Sequence, residues 1–211
     1  MSLPIVVLGA GGHARVLIDA LRGRAAVIQG IAEADRSKHG QTLLGIPIIG
    51  DEEVLAFAQD SVRLVNGVGT VRVSLLRRQL HDSFRSKGYR FAAVVHASAI
   101  VAPDVVLAEG AQIMAGAVLQ TGCRIGENAI INTRATVDHD CVIGKHVHVS
   151  PGATLCGNVT VGEGSHVGAG ATVIQGIRIG RDSMVAAGAV VIRDIPDNVT
   201  VAGVPAKEMQ S

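Results

Sequence analysis

The chain has 211 residues, 48% of them hydrophobic and only 2% aromatic, with 26 glycines and a formal net charge of +1. This composition predicts a folded protein, gives no charge field that favours nucleic acid or an anionic membrane as a partner, and includes no apolar run of the roughly 20 residues that a membrane span needs. The N-terminal run MSLPIVVLGAGG has no basic start or cleavage site of a signal peptide, and the cysteines number three, so we expect a cytoplasmic protein without a disulfide framework.

Residues 1–94 alternate predicted strands with predicted helices. The predicted elements are a strand at 5–8, a helix at 15–21, strands at about 27–31 and 63–66, and a helix that ends at about residue 87. This order indicates an α/β domain with a small parallel sheet, half of a Rossmann-like fold, whose ligand binds at the carboxyl ends of the strands.

The glycine-rich loop GAGGHA at 9–14 joins the first strand to the first helix and matches the spacing G-x-G-x-x-G/A. Such glycines let the backbone approach a diphosphate, and a helix N-terminus favours its negative charge. Glu33 and Asp35 follow the second strand, and Gly69 follows the third. The segment is too short for both halves of an NAD-binding domain, which favours a mononucleotide or a nucleotide sugar. The alternative is that the glycines only form tight turns in a scaffold domain.

From Val95 to Val191 every sixth residue is a branched aliphatic, and the fourth residue after each is nearly always small. A strict period of six fits short strands that turn at the corners of a three-sided prism, with 18 residues in each coil. Glycine and asparagine near the corners tolerate left-handed backbone angles. Residues 95–211 are therefore predicted to form a parallel β-helix with a C-terminal tail.

The repeat brings two residues of chemical interest together. His139 and Gly157 are 18 residues apart and take the same corner of consecutive coils, which lie about 4.8 Å apart. Asp138 and Asp140 flank His139, and a carboxylate paired with an imidazole raises its basicity. Acyl transfer requires such a base together with a donor to the oxyanion, and the Gly157 N–H could be that donor. The alternative is a solvated turn.

The remaining histidines and cysteines are placed by the same register. His148 and His166 are also 18 apart and predict a histidine ladder on the surface of the coil or, for His148, a functional role, while His146 is predicted to face solvent. The small residues that lie four positions after each aliphatic form a second column, the small-residue column. It includes Cys123 and Cys141, which are predicted to be core residues. Cys156 could line a channel, although no neighbour in sequence would activate its thiolate. A solvated helix face, with a phosphate contact as the alternative, is predicted for Arg72, Arg77 and Arg78.

Three segments carry a resemblance to a known family. They are INTRATVDHDCVIGKHVHVSPGATLCGNVTVG at 131–162, GAGGHA at 9–14 and VAGVPAKEM at 201–209. The chain resembles the hexapeptide-repeat acyltransferases, in particular the sialic acid O-acetyltransferase-like group that includes bacterial N-acetyltransferases for perosamine and the bacillosamine precursor. The resemblance covers the entire chain. It implies a left-handed β-helix, a homotrimer, acetyl-CoA as cosubstrate, no metal, and a nucleotide-linked amino sugar as acceptor, with GDP-perosamine favoured, in polysaccharide biosynthesis.

The resemblance also implies roles for individual residues. The residue that matches His139 is the general base, the one that matches Asp140 assists it, and the amide that matches Gly157 donates to the oxyanion. The sugar nucleotide is expected at Gly11, Gly12, His13, Glu33, Asp35 and Gly69. The acetyl-CoA channel is expected at His148, Ala169 and Ala187. Several relatives carry Glu where this chain has Asp140, and the shorter side chain changes its reach to the imidazole.

Three alternatives to sugar N-acetylation remain open from the sequence. O-acetylation of a sialic acid or related sugar would use the same base. A zinc lyase like the β-helical carbonic anhydrases would draw ligands from His139, His146, His148 and His166, although residue 144 is Gly where those enzymes place a histidine. A non-catalytic scaffold would bind the sugar nucleotide and use the β-helix only to oligomerise.

Overall fold

The computed structural model describes residues 3–70 and 75–209. Within these ranges the chain divides into two compact units, one formed by residues 3–70 and 75–97 and the other by residues 98–209. None of the helices that the structure describes is long and apolar enough to cross a bilayer.

The first unit is built on a five-stranded sheet. Its strands are β1 (Ile5–Leu8), β2 (Ile28–Ala32), β3 (Thr42–Leu43), β4 (Ile46–Ile49) and β5 (Arg63–Asn66), and a short strand β6 (Val94–Val95) follows later. Its helices are α1 (Gly12–Arg22), α2 (Asp51–Leu55) and α3 (Leu75–Ser86), with a 3₁₀ helix at Arg36–Lys38. The strand order is β3-β4-β2-β1-β5, and every neighbouring pair is parallel except the hairpin β3–β4. The predicted small parallel sheet is confirmed, and the carboxyl ends of β1, β2, β4 and β5 meet at one edge.

Helix α1 packs its apolar stripe onto the sheet and so fixes the loop before it. Its buried residues recur at the three- and four-residue spacing of one helix face: Ala14, Leu17, Ile18 and Leu21. Gly67, directly after β5, allows the closest contact, because a Cβ there would lie 2.8 Å from the Leu8 carbonyl oxygen and 3.0 Å from Ala14 Cβ. The loops after β1 and β5 are therefore held side by side.

The structure adds a hairpin and a short helix that the sequence pattern did not predict. The hairpin β3–β4 turns at Leu44 and Gly45, whose φ angles are +53° and +76°. Two consecutive positive φ angles define the tight hairpin turn that Asn-Gly usually signals, and a leucine at the first position hides that signal. Helix α2 begins after Gly50, whose N–H donates to Glu53 Oε1 at 3.0 Å.

The second unit is a three-sided coil of two-residue strands. One face contains β7 (Ile100–Val101), β10 (Val118–Leu119), β13 (Thr136–Val137), β16 (Thr154–Leu155), β19 (Thr172–Val173) and β22 (Val190–Val191). The next contains β8 (Val106–Leu107), β11 (Arg124–Ile125), β14 (Val142–Ile143), β17 (Thr160–Val161) and β20 (Arg178–Ile179). The third contains β9 (Gln112–Ile113), β12 (Ile130–Ile131), β15 (His148–Val149), β18 (His166–Val167) and β21 (Met184–Val185), then β23 (Thr200–Ala202), with antiparallel β24 (Lys207–Glu208) at its end.

The period of six is visible in both the core and the backbone. Every parallel pair from β7 to β22 joins residues 18 apart, as Val118 pairs with Thr136. The hexad aliphatics from Ile113 to Val191 are buried along the prism, whereas Val101 and Leu107 are partly exposed. Every sixth residue from 110 to 188 has a positive φ, and most of these residues are glycine, with asparagine and aspartate among the others. Cys123 and Cys141 are fully buried, as predicted.

Candidate active site

His139 occupies the corner that follows β13, and its ring is fixed by the next residue. Its Nδ1 lies 2.9 Å from Asp140 Oδ2, and both side chains remain partly open to solvent. The hydrogen bond that the imidazole makes to the Asp140 carboxylate is the main cause that raises the pKa of His139 above its usual value. An ionised carboxylate only accepts hydrogen bonds, so Nδ1 carries the proton and Nε2 presents its lone pair. This arrangement leaves Nε2 suited to accept a proton.

Residues of the preceding coils hold Asp140 in position. Its φ of +58° places the residue in the left-handed corner, and its N–H donates to the Thr121 carbonyl at 3.0 Å. A Cβ at Gly122 would collide with Asp140 Oδ1, so the glycine leaves room for the carboxylate. Asp104 Oδ2 accepts from Thr121 Oγ1 at 2.7 Å and from the Gly122 N–H at 2.9 Å. The sequence pattern did not identify Gly122 and Asp104 as site residues, although both lie in the column of residues 18 apart that contains Asp140.

Gly157 lies directly against the imidazole from the next coil. A Cβ on Gly157 would lie 2.6 Å from His139 Cε1 and nearer still to Nε2, so this close approach requires glycine. Within residues 3–70 and 75–209, no protein acceptor is found for the Gly157 N–H, whereas its carbonyl accepts from Gly176 N–H at 3.0 Å. A buried N–H without a partner is uncommon and is a candidate donor to a ligand. The imidazole of His139 and a backbone N–H without a protein acceptor in the described chain thus lie side by side.

His148 and His166 pair on β15 and β18, but the predicted surface ladder is wrong because both are buried, with 7% and 4% of their area exposed. Their rings meet edge to face at 4.7 Å. His148 Nε2 lies 3.0 Å from Asn132 Nδ2, and His166 Nε2 lies 2.9 Å from Ser150 Oγ. Burial lowers the pKa of His166. His146 is half-buried and does not face solvent fully.

Ala169 and Ala187 take equivalent positions on consecutive coils, at the corner that follows the third face. Both are exposed. The two coils are joined at this corner by the N–H of Gly188, the residue after Ala187, which donates to the Ala169 carbonyl at 2.9 Å. In the part of the chain that the structure describes, the N–H groups of both alanines have no protein acceptor. They form a short row of available donors. Cys156, adjacent to Gly157, is half-buried.

The glycine loop of the first unit is open. Nothing lies within 4 Å of a Cβ built on Gly11 or Gly12, and both residues are exposed at the start of α1. On the other side of the loop, a Cβ at Gly69 would lie 3.0 Å from His13 Cβ. The structure therefore brings together His13 and Gly69, which are far apart in sequence, at the carboxyl edge of the sheet.

Glu33 joins the end of β2 to the same loop. Its Oε2 accepts from the Ala10 N–H at 3.1 Å, and its Oε1 accepts from the Asp35 N–H at 3.2 Å. Burial alone would raise the pKa of Glu33, but the hydrogen bonds from Asp35 and Ala10 outweigh it, and the pKa is lowered. Lys38 Nζ lies 3.5 Å from Glu33 and 3.7 Å from Asp35. The two acids therefore form an ionised, ordered pair.

A cavity of about 460 Å³ opens beside these acids. It is lined by Glu33, Ala34, Arg36, His39 and residues 50–53. His39 Nε2 lies 2.7 Å from the Glu33 carbonyl oxygen and forms part of its wall. The cavity lies past the carboxyl ends of β2 and β4, where ligands bind to parallel sheets.

The sequence pattern predicted that Arg77 lies on a solvated helix face, and this prediction is wrong. Arg77 is buried, with 3% of its area exposed, and its Nη1 donates to the carbonyls of Asn66 at 2.8 Å and Val68 at 2.7 Å. Asn66 Nδ2 in turn donates to the Arg77 carbonyl at 3.0 Å. The guanidinium therefore donates to backbone carbonyls of the loop that leads to Gly69, in place of water. Arg78 is half-buried beside Asp82, and Arg72 lies outside the described residues.

Comparison with known proteins assigns both units. Residues 4–84 match the PglD N-terminal domain, and residues 104–139, 122–157 and 140–175 match the bacterial transferase hexapeptide (six repeats). Perosamine N-acetyltransferase from Caulobacter crescentus, solved with CoA and GDP-perosamine, is 39–40% identical over 100% of both chains, with a TM-score of 0.89–0.90. The acetyltransferase domain of PglB from Neisseria gonorrhoeae, also solved with acetyl coenzyme A, is 35% identical over 99% of this chain and 100% of that chain, with a TM-score of 0.90.

A third solved structure, WeeI from Acinetobacter baumannii, is 26% identical over 99% of this chain and 100% of that chain, with a TM-score of 0.88. No match was found among the curated proteins. The chain belongs to the bacterial hexapeptide transferases and is an acyltransferase with a left-handed parallel β-helix. Within that family, its full-length likeness is to CoA-dependent sugar N-acetyltransferases, as the resemblance implied.

Proposed function

We propose that this protein transfers the acetyl group of acetyl-CoA to the amine of a nucleotide-linked amino sugar, with GDP-perosamine or another 4-amino-4,6-dideoxy sugar as the favoured acceptor. The observation that carries the proposal is the imidazole of His139 packed against Gly157, whose N–H has no protein acceptor in the described chain. The full-length similarity to an enzyme solved with CoA and GDP-perosamine supports this choice of substrates.

The mechanism follows from the two groups at this corner. The sugar amine attacks the thioester carbonyl, and His139 Nε2 accepts the proton that the nitrogen loses. Asp140 stabilises the imidazolium through Nδ1. The Gly157 N–H donates to the oxyanion of the tetrahedral intermediate. Collapse of the intermediate breaks the carbon–sulfur bond, and the leaving thiolate of CoA takes the proton from His139. No covalent acetyl-enzyme is needed.

Three residues of the β-helix are proposed to hold acetyl-CoA: His148, Ala169 and Ala187. The unpartnered N–H groups of Ala169 and Ala187 suit the amide carbonyls of the pantetheine arm, which would otherwise lose their hydrogen bonds to water. His148 is held by Asn132 and by the edge of His166, so its ring offers a fixed wall.

The first unit is proposed to bind the nucleotide part. The open glycine loop at the start of α1 provides backbone donors for the diphosphate at Gly11 and Gly12, and His13 and Gly69 border the loop. Glu33 and Asp35 stand beside the cavity of about 460 Å³ and are suited to accept hydrogen bonds from ribose or base. Arg36 lines the same cavity and adds positive charge.

A panel assay tests the proposal. Thioester cleavage would be measured with acetyl-CoA and UDP-, GDP-, dTDP- and CMP-linked 3-amino and 4-amino sugars, and the product would be examined by NMR. We expect CoA release with one of the 4-amino sugars and an amide product. An ester product would show O-acetylation by the same base. Failure of every amino sugar to increase CoA release above the uncatalysed rate would contradict the proposal and favour a scaffold role.

We also propose that the chain forms a homotrimer in the cytoplasm. The exposed faces of a β-helix are stabilised when neighbouring subunits cover them, and symmetric association provides such subunits. The three cysteines are unpaired, which suits a reducing compartment. Light scattering should give a mass near three times the chain's 21.7 kDa. A mass near 21.7 kDa at micromolar concentration would contradict the trimer.

A further inference from the structure

The carbonyl that precedes Gly157 is tethered from inside the coil by a cysteine. Cys141 is fully buried, and its Sγ donates to the Cys156 carbonyl oxygen at 3.2 Å. That carbonyl and the Gly157 N–H belong to one peptide group. The thiol therefore contacts the other end of the group whose N–H is proposed to bind the oxyanion.

Hydrogen bonds of the same kind recur along the coil, which indicates that the hexapeptide register, and not an accidental contact, places them. One coil earlier, Cys123 Sγ donates to the Asp138 carbonyl at 2.9 Å, directly before His139. At another corner, Ser183 Oγ lies 2.7 Å from the Pro196 carbonyl oxygen. Each donor comes from the buried small-residue column, so the hexapeptide register places a polar hydrogen where a corner carbonyl turns inward.

We propose that Cys141 is a positioning residue for acyl transfer, because its thiol fixes the plane of the Cys156–Gly157 peptide and thereby aims the Gly157 N–H at the oxyanion. The inference rests on the proposed function and adds a residue that lies outside the reacting groups. A peptide group is planar, so a tether on its oxygen also sets the direction of its N–H. A hydrogen bond to the oxygen also polarises the group and strengthens the N–H as a donor.

The thiol can fill this role only while it is protonated. Burial raises the pKa of Cys141 to about 12. The donor is therefore present throughout the working range of a histidine base. The contribution of Cys141 should be independent of pH between about 6 and 9, unlike that of His139.

The kinetic test compares Cys141→Ala with Cys141→Ser, and uses Ser183→Ala as the matched control. The control loses a buried donor to the Arg181 and Pro196 carbonyls and an acceptor of the Val199 N–H, at a corner without site residues, and is therefore at least as disruptive to the fold as Cys141→Ala. For Cys141→Ala we expect kcat to fall about three- to tenfold, the cost of one tethering hydrogen bond, at every pH and with both KM values unchanged. Cys141→Ser keeps a donor and should retain most of kcat. Ser183→Ala should retain wild-type kcat even where its melting temperature falls.

A second readout needs no turnover and separates this inference from the proposed function. Cys-Gly occurs once in the sequence, at 156–157, so labelling with [1-¹³C]cysteine and [¹⁵N]glycine gives one selectable amide resonance. Loss of the tether should move this Gly157 amide proton upfield in Cys141→Ala and leave it unmoved in Ser183→Ala. An unmoved resonance in Cys141→Ala would overturn the tether even if the wild type released no CoA. A moved resonance with kcat equal to that of Ser183→Ala in an active enzyme would overturn the positioning role.

Discussion

Replacing Gly157 with alanine tests the close approach on which the site depends. The added Cβ would lie 2.6 Å from His139 Cε1 and 3.0 Å from Cδ2, whereas ordinary contacts are 3.4–4 Å. The imidazole must then move by about 1 Å, and a displacement of that size from a reactive geometry costs about 10²-fold in rate. The φ of Gly157 is not positive, so alanine introduces no backbone strain. We expect kcat to fall about 100-fold with little change in stability.

The assay is CoA release at saturating acceptor, together with a thermal melt. Gly23→Ala is the control, because a Cβ there meets only ordinary contacts of 3.6 Å or more, and its activity should match that of the wild type. If folded Gly157→Ala kept more than half of the wild-type kcat, the imidazole would not depend on the space above Gly157, and the reasoning from this geometry would be refuted.

Four further predictions follow from individual residues. Asp140→Asn replaces the charged acceptor that raises the pKa of His139 with a neutral amide; since the base acts in its neutral form, the acid limb of the kcat–pH profile should move to lower pH, and the plateau should fall about tenfold. Gly122→Ala would collide with Asp140 at a φ of +76°, so a melt should show a loss of about 1 kcal/mol and the pH profile the same shift. Arg77→Met removes the Nη1 donor to the Asn66 and Val68 carbonyls and should lower the free energy of unfolding by about 2–3 kcal/mol in urea titrations; the KM for the sugar nucleotide should rise above the wild-type value while the KM for acetyl-CoA stays unchanged. Cys156→Ser should keep most of kcat and show no acetyl-enzyme by mass spectrometry, whereas complete loss would revive a thiolate nucleophile.

The elements with a strong local signal were predictable from sequence. Strands 5–8 and 63–66 agree with the structure residue for residue, because short apolar runs bounded by glycine have few alternatives. The β-helix was predictable because each period of six repeats the same packing. The hairpin at 42–49 was not, since its turn begins with Leu44, which carries no turn signal.

The site was predictable only where the repeat fixes geometry. Residues 18 apart must stack, which placed His139 against Gly157. The period does not say which face of the prism is exposed, so the burial of His148 and His166 could not be predicted. Arg77 looks like a surface residue on its helix, and only the fold brings the carbonyls of Asn66 and Val68 to it. Such contacts depend on tertiary structure, and local patterns do not reveal them.

The most direct test of the account is the kcat/KM of His139→Ala with the best acceptor from the nucleotide-sugar panel, measured beside the wild type at the pH of maximal activity. The variant should bind acetyl-CoA and melt as the wild type does, because the side chain is half exposed and supports no core contact. Loss of a general base should lower kcat/KM by about 10²- to 10⁴-fold. A variant that retained most of the wild-type kcat/KM would show that His139 does not accept the proton, and the proposed mechanism would be wrong.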